Sequence, residues 1–229
     1  MKAVIFDLFE TLVTEWGRPK YSTREISLDL GLIYEVFLEE WKVLQKDRYL
    51  GKFSDSKEAF RVILKKFGIR SDENLLDNIC GKREEFKRKC FENIDPEIIR
   101  MLSVLKENSF KLGLISNCSA EETYGFTESG IYKYFDAVVL SCEAGLVKPD
   151  IKIYRRCLDL LNVQAQECYY AGDGGSNELN GAKNAGLTPL KVLWFIKNFV
   201  KDYDYDKTYK SFYEPDELTL FILGENKHE

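Results

Sequence analysis

Short apolar runs that stop abruptly at polar residues set the tightest limit on how this chain can fold. The first covers residues 2–6 and ends at Asp7. The pattern recurs at Lys111-Leu112-Gly113-Leu114-Ile115 before Ser116-Asn117, at Ala137-Val138-Val139-Leu140 before Ser141, and at Cys168-Tyr169-Tyr170-Ala171 before Gly172-Asp173. A fifth run, residues 190–194, closes the series. Runs this short, bounded by polar residues, read as strands buried on both faces of a parallel sheet. Helical patterns lie between them. Ile98, Ile99, Leu102 and Leu105 share one face behind Asp95-Pro96, where the acid caps and the proline opens a helix. Tyr154, Cys157, Leu158 and Leu161 repeat that spacing after Lys148-Pro149, and a helix through Asn180 and Asn184 finds its C-cap at Gly186. Alternation of this kind predicts an α/β fold, a doubly wound parallel sheet with helices on both faces.

Residues 15–93 break the alternation. Three helical stripes follow one another: Ile33, Val36, Phe37, Trp41 and Leu44; Ala59, Phe60, Ile63, Leu64 and Phe67; Leu75, Leu76 and Ile79. No strand pattern separates them. The expected organisation is a core of residues 1–14 and 95–229 and an all-helical domain at 15–94, seated over the C-terminal end of the first strand. A plainer alternative is a helical elaboration packed on the core. The mixed-sign run Lys82-Arg83-Glu84-Glu85-Phe86-Lys87-Arg88-Lys89 is expected to be a solvated helix face. Trp16, Tyr21, Trp41 and Tyr49 suit a core or interface, or the lining of an entrance. The Tyr-rich segment 201–210 is expected to be a surface loop.

Composition then removes whole classes of chemistry. The single histidine, His228, is the penultimate of 229 residues on a polar tail, so Ser-His-Asp triads, Cys-His pairs and His-rich zinc sites are excluded. With 33 basic against 38 acidic residues the net charge is -5, which argues against nucleic acid as the partner. No apolar run approaches the roughly 18 residues that would cross a membrane, and Asp7 comes too early for a signal peptide. The six cysteines form no C-x-x-C pair and read as reduced thiols of a cytoplasmic protein. Carboxylates, hydroxyls and lysines are left to do the chemistry.

Parallel sheets bind ligands beyond the carboxyl ends of their strands. Asp7 and Thr11, Ser116 and Asn117, Lys148, and Asp173 and Glu178 therefore share one crevice. Together they form a kit for phosphoryl transfer: a carboxylate to attack phosphorus, further carboxylates to hold Mg²⁺, and hydroxyl and ammonium groups to stabilise the transition state. A receiver domain would place the lysine far closer to the acceptor acid, and a Rossmann dinucleotide site would need G-x-G-x-x-G after the first strand. Neither fits.

Four segments together resemble the motifs of the haloacid dehalogenase-like hydrolases: Asp7-Leu8-Phe9-Glu10-Thr11-Leu12, Ile115-Ser116-Asn117, Val147-Lys148-Pro149-Asp150, and Gly172-Asp173 with Glu178 five residues on. Gly181-Ala182-Lys183-Asn184-Ala185-Gly186 is similar to the tail of the last motif, and the helical insert stands where that family carries its cap. The resemblance implies that Asp7 is nucleophile and Mg²⁺ ligand. Thr11, Ser116 and Asn117 would hydrogen-bond the transferred group, and Lys148 would orient Asp7. The metal would be held by Asp7, the Phe9 carbonyl, Asp173 and Glu178, and the substrate would be a small phosphate monoester.

One position departs from the pattern. The phosphatases of the family this chain resembles usually carry a second Asp two residues after the nucleophile, where Phe9 stands here. A phenyl ring transfers no proton, and losing general acid catalysis costs on the order of 10²–10⁴ in rate. Three explanations stay open. The first is a phosphatase with a good leaving group or with an acid supplied from elsewhere, such as Glu10 or Glu15. The second is a metal-independent 2-haloacid dehalogenase, whose halide leaves without a proton. Tyr154 agrees with that subgroup, while Asp173, Gly175 and the lack of a matching arginine (Arg18 and Arg24 are unaligned) do not. The third is a weakly catalytic binding or regulatory module. A second acid beside Asp7 makes electrostatic sense with Mg²⁺ present and is unfavourable without it.

Overall fold

The computed structural model describes residues 1–17, 21–201 and 207–225 of the chain. Strand β1 (Ala3–Phe6) is followed by five helices: α1 (Thr23–Asp29), α2 (Tyr34–Val43), α3 (Gln45–Tyr49), α4 (Ser56–Lys66) and α5 (Glu73–Lys89). The chain continues through α6 (Pro96–Glu107), β2 (Lys111–Ser116), β3 (Ala137–Leu140), α7 (Ser141–Ala144), α8 (Ile151–Leu161) and β4 (Cys168–Gly172). It ends with α9 (Glu178–Asn184), β5 (Thr188–Val192), β6 (Ser211–Phe212) and α10 (Pro215–Glu225). The six strands form one sheet in the order β3-β2-β1-β4-β5-β6, with every pairing parallel.

Strand side chains alternate between faces, and the two cores follow that period. Val4, Phe6, Leu112, Leu114, Tyr169 and Ala171 face one cluster with Ile98, Leu102 and Leu105 of α6 and Leu218 and Ile222 of α10. Ala3, Ile5, Ile115, Val139, Cys168 and Tyr170 face the other, against Ile153, Tyr154, Cys157 and Leu161 of α8 and Leu179 and Ala182 of α9. Each fully buried large apolar side chain contributes roughly 1.5–3 kcal/mol. Asp95 caps α6 by accepting from the Glu97 amide, with Pro96 opening the helix, and Asp150 caps α8 through the Lys152 amide. Gly186 follows α9 with a left-handed φ of +94°, as its terminating role requires.

Helices α1, α2, α4 and α5 pack around their own apolar cluster of Ile26, Phe37, Trp41, Phe60, Ile63, Leu76 and Ile79. The expected stripes hold at those positions, while Ile33, Val36, Phe67 and Leu75 are exposed. Ile33 and Phe67 are cap positions of α2 and α4, beyond the turns whose faces are buried. The insert touches the core closely at Gly51. A Cβ there would lie 2.0 Å from the Cys142 carbonyl oxygen, and its φ of +70° also favours glycine.

Several expectations need correction. Strand β5 starts at Thr188, two residues before the apolar run, and Leu193 and Trp194 lie beyond it; Pro189, which reads as a strand breaker, pairs in register with Tyr170. Strand β6 and helix α10 have no counterpart in the sequence reading, since two residues are too few to show a period. The run Lys82-Arg83-Glu84-Glu85-Phe86-Lys87-Arg88-Lys89 is not a solvated face throughout. Lys82, Glu85, Arg88 and Lys89 are exposed, but Arg83, Phe86 and Lys87 are buried. Arg83 and Lys87, one helical turn apart, point at carboxylates of the core. Arg18, His228 and part of the 201–210 segment lie outside the described residues. Among the described residues no helix is long and apolar enough to cross a membrane.

Candidate active site

Asp7 is the first residue past β1, and its amide still donates to the Ala171 carbonyl at 2.9 Å. The chain then turns back on itself. Leu12 and Val13 amides both donate to Leu8, the Glu10 amide donates to Val13, and Glu10 takes a left-handed φ of 58°. Trp194 pins the turn by donating its indole N–H to the Thr11 carbonyl at 2.9 Å. The Thr11 hydroxyl is thereby placed 3.3 Å from Asp7 Oδ2.

Lys148 lies at the centre. Its ammonium donates to Asp7 Oδ1, to Glu178 Oε2 at 2.5 Å and to the Ile115 carbonyl at 3.3 Å, with the Tyr170 hydroxyl at 3.2 Å. Asn117 fixes the lysine backbone reciprocally: its Oδ1 accepts from the Lys148 amide at 2.8 Å and its Nδ2 donates to the Lys148 carbonyl at 3.0 Å. Both polar ends of Asn117 are thus engaged by Lys148. The Ser116 hydroxyl, by contrast, is buried with no partner among the described residues, a state that buried polar groups rarely occupy unless something else meets them.

Asp173 follows β4 and Glu178 opens α9, and in the turn between them Gly174, Ser176 and Asn177 all adopt left-handed φ values. Asp173 Oδ1 accepts from the Gly175 amide at 2.9 Å. Glu178 folds back over the strand end because residue 172 is glycine; a Cβ there would stand 2.1 Å from Glu178 Oε1. Two tyrosines hold it. Tyr170 donates to Glu178 Oε2 at 2.7 Å, and Tyr154, itself a core residue of α8, donates to the Glu178 carbonyl at 2.8 Å. Tyr170 was legible as a polar tip on a doubly buried strand, which needs a partner.

One ammonium faces three carboxylates. Ligand oxygens of Asp7, Asp173 and Glu178 all lie within 4.8 Å of one another. Burial and the charge of Glu178, offset in part by Lys148, push Asp7 up to about 6. Burial and the Asp7 charge raise Asp173 in the same way, and Glu178 is raised by burial together with Asp173. Burial pulls the Lys148 ammonium down, but Asp7 and Glu178 outweigh it and keep the lysine charged. A cluster of hard oxygen donors with uncompensated negative charge fits a divalent cation such as Mg²⁺.

Phe9 turns its ring to Phe91 in an edge contact with centroids 6.3 Å apart. Glu10, pushed up to about 7 by burial, accepts from the Thr14 hydroxyl at 2.5 Å and from the Glu15 amide at 3.0 Å. Glu15 is paired with Lys87. Both carboxyls that follow Phe9, Glu10 and Glu15, are therefore held by protein donors.

A second charged cluster, missed in the sequence, joins the insert to the loop after β2. Arg83 Nε lies 3.0 Å from Glu121, and Glu122 Oε1 receives Arg83 Nη2 at 3.2 Å and Lys87 Nζ at 3.0 Å. Burial alone would raise the Glu122 carboxyl, yet the charges of Lys87, Arg83 and Arg48 hold it well below the usual range. A depressed pKa stabilises the fold above the unfolded glutamate value and loses that contribution as pH falls toward the folded one. The stability gap between the wild type and Glu122→Gln, measured by urea unfolding, is expected to hold steady from pH 7 to about 5 and to narrow from there to pH 3, below the unfolded glutamate value of about 4.5. A gap that stays constant down to pH 3 would mean that Glu122 is not held ionised.

The fold and this strand-end constellation meet a family model described as haloacid dehalogenase-like hydrolase, which matches residues 2–192. The chain belongs to the haloacid dehalogenase-like hydrolases. Among curated members it is 26% identical over 200 residues to a glyceraldehyde 3-phosphate phosphatase of Methanopyrus kandleri, with 84% of each chain covered. It is 24% identical over 221 residues to the pyrophosphatase PpaX of Bacillus cereus, covering 94% of this chain and 90% of the relative. Solved structures share the fold. A haloacid dehalogenase-like phosphatase of Thermococcus onnurineus superimposes with a TM-score of 0.64 at 23% identity over 98% of both chains. A 2-haloacid dehalogenase of Pseudomonas syringae gives 0.69 at 22% identity, over 98% of this chain and 99% of that one.

Proposed function

We propose that this hydrolase is a Mg²⁺-dependent phosphatase of a small phosphorylated metabolite, working through an aspartyl-phosphate on Asp7. The observation that carries the reading is the surplus of carboxylates around Lys148, with Asp173 beside Asp7. A metal-independent ester mechanism gains nothing from a second acid there. The curated relatives named as phosphatases point the same way.

Asp7, Asp173, the Phe9 carbonyl and Glu178 would hold Mg²⁺, with Glu178 already bound to Lys148 and Tyr170 and so suited to an outer role. The ion, when bound, supplies positive charge to the phosphate oxygens. Asp7 attacks phosphorus; the bond to the departing oxygen breaks as the Asp7–phosphorus bond forms. Water then attacks phosphorus, the bond to Asp7 breaks, and inorganic phosphate leaves carrying one water proton while the other passes to solvent, which restores the carboxylate. Thr11 and the unpartnered Ser116 hydroxyl bind the phosphoryl oxygens, and Lys148 orients Asp7 and stabilises charge. Asn117 acts as a positioning residue for Lys148. Residues 15–94 serve as the cap that closes over the strand ends. With Phe9 in the acid's place and Glu10 and Glu15 held by other donors, substrates whose leaving group departs as a stable anion are favoured.

Phe9 is also the feature that favours a second reading, carbon–halogen hydrolysis, since a halide needs no proton. Phosphate release from a panel of phosphorylated metabolites and chloride release from 2-chloropropionate separate the two. Phosphate release at least tenfold higher with Mg²⁺ than with chelator is expected. Chloride release without phosphate release would overturn the proposal.

A further inference from the structure

Two of the six cysteines meet beside the reaction centre. Cys118 directly follows Ser116 and Asn117, and Cys142 stands in α7, just past β3. Strands β2 and β3 pair in register as far as Ser116 and Leu140, so each cysteine comes two residues after the same rung of the ladder. Ser141 clips the two segments together: its hydroxyl accepts from the Cys118 amide at 2.9 Å and donates to the Cys118 carbonyl at 3.1 Å. The two sulfurs lie 4.0 Å apart. Bonded sulfurs stand about 2.05 Å apart, so the pair has to close by about 2 Å. Side-chain rotation and a small loop shift supply that movement while Ser141 keeps the backbones side by side.

The two thiols are unlike. Cys118 is fully buried, whereas Cys142 is the one cysteine of the six that is not buried. Contact with the Cys118 thiol pulls Cys142 down from the usual thiol range against the effect of burial, and Cys142 together with burial pushes Cys118 up. Peroxides react with the thiolate, at exposed sulfurs first. Cys142 is therefore the sulfur an oxidant meets, and Cys118 the one placed to resolve the product.

Movement of this pair falls on functional residues. Asn117, which precedes Cys118, fixes the Lys148 backbone at both its amide and its carbonyl. On the other flank the Cys142 carbonyl packs so closely on Gly51 of the insert that a Cβ would stand 2.0 Å from its oxygen. Further along the loop, Ser119 and Glu122 close a reciprocal cap, and Glu122 holds Arg83 and Lys87 of α5. A shift of the cysteines is passed on to both the site and the insert.

We propose that Cys118 and Cys142 form a reversible oxidation site for hydrogen peroxide or an organic hydroperoxide, whose disulfide slows turnover at Asp7 by displacing Ser116 and Asn117. The Cys142 thiolate attacks the terminal peroxide oxygen. A sulfur–oxygen bond forms, the oxygen–oxygen bond breaks, and the other oxygen leaves as water or an alcohol with the proton that Cys142 gave up. Cys118 then attacks the Cys142 sulfur, the sulfur–oxygen bond breaks, and hydroxide departs with the Cys118 proton as water. The two thiols lose two electrons, which the peroxide takes up, and an external dithiol reverses the bond. Disulfide formation is independent of the chemistry at Asp7; its effect on turnover rests on the phosphatase reading.

The test treats the reduced protein with hydrogen peroxide, counts thiols after denaturation and maps the linked peptides. The count is expected to fall by two thiols per chain, with a Cys118–Cys142 peptide appearing, and dithiothreitol is expected to restore both. Mg²⁺-dependent phosphate release from p-nitrophenyl phosphate should drop at least about tenfold on oxidation and recover on reduction, because misplacing an active-site group by about 1 Å can cost about 10²-fold. Cys142→Ser is expected to keep the turnover of the reduced wild type and to resist peroxide. An unchanged thiol count, a linkage to any other cysteine, turnover unaffected by the disulfide, or equal inactivation of Cys142→Ser overturns the proposal. If the reduced wild type releases no phosphate, the phosphatase reading fails by itself. The linked peptide then still decides the site, and amide hydrogen exchange at residues 116–119 decides its effect: altered exchange on oxidation supports displacement, and unaltered exchange overturns it.

Discussion

Asp7→Asn is expected to lower phosphate release by at least about 10³-fold, because an amide oxygen is too weak a nucleophile to form the phosphoryl-enzyme. The fold should not weaken in parallel. Burial is the largest influence on the Asp7 carboxyl and works against its charge, with Glu178 adding to the repulsion. Lys148 keeps Glu178 as a partner in the variant. Its melting temperature is therefore expected to match or exceed that of the wild type, the trade-off seen where a site holds charge for chemistry at the expense of stability. Measured together, the two readouts are decisive. More than a tenth of wild-type turnover in Asp7→Asn would remove Asp7 from the nucleophile's role, whereas a joint loss of turnover and fold would show only that the residue is structural.

Lys148→Met should fail in both respects. The Lys148 side chain is 3% exposed, and its ammonium joins Asp7 to Glu178. Taking away one member of a buried ionic set strands the others, typically for about 3–5 kcal/mol, or roughly 10 °C in melting temperature for a chain of this size. Turnover should fall by on the order of 10²–10³ from loss of charge stabilisation alone. Three carboxylates without their lysine should also hold a divalent cation more strongly, so added Mg²⁺ is expected to raise the variant's melting temperature more than the wild type's. A variant that melts within 2 °C of the wild type, with or without Mg²⁺, would contradict this account of the site.

Much of this arrangement is legible in the sequence. Strands β1, β2 and β4 are apolar on both faces and end at polar residues, so Asp7, Ser116 and Asp173 are marked by where apolar character ends. Side-chain type was legible, but partners were less so. Asn117 reads as a hydrogen-bonding residue at a strand end; that it is spent on the backbone of Lys148 depends on how two distant loops meet. Arg83 and Lys87 stand in a mixed-charge helix, where an i, i+4 spacing looks the same whether it faces water or Glu122. Arg48 sits in a short polar helix with no apolar stripe to show that it is buried. Strand β6 pairs through two residues only, and its place is set by β5 beside it rather than by its own composition.

The insert separates two strands that are nearest neighbours in the sheet, since β1 pairs directly with β2. About 100 residues intervene, and closing a flexible loop of that length instead of one of about 15 residues costs about 2 kcal/mol more in chain entropy. The contact of Phe9 with Phe91 changes that estimate, because it brings the two ends of the insertion side by side. Once the helices have gathered around Phe37, Trp41 and Phe60, the intervening chain acts as a short bridge, and most of the entropic penalty disappears. A fold that tethers a large insertion at two adjacent points can therefore lengthen or rebuild it with little effect on how readily its central strands find each other.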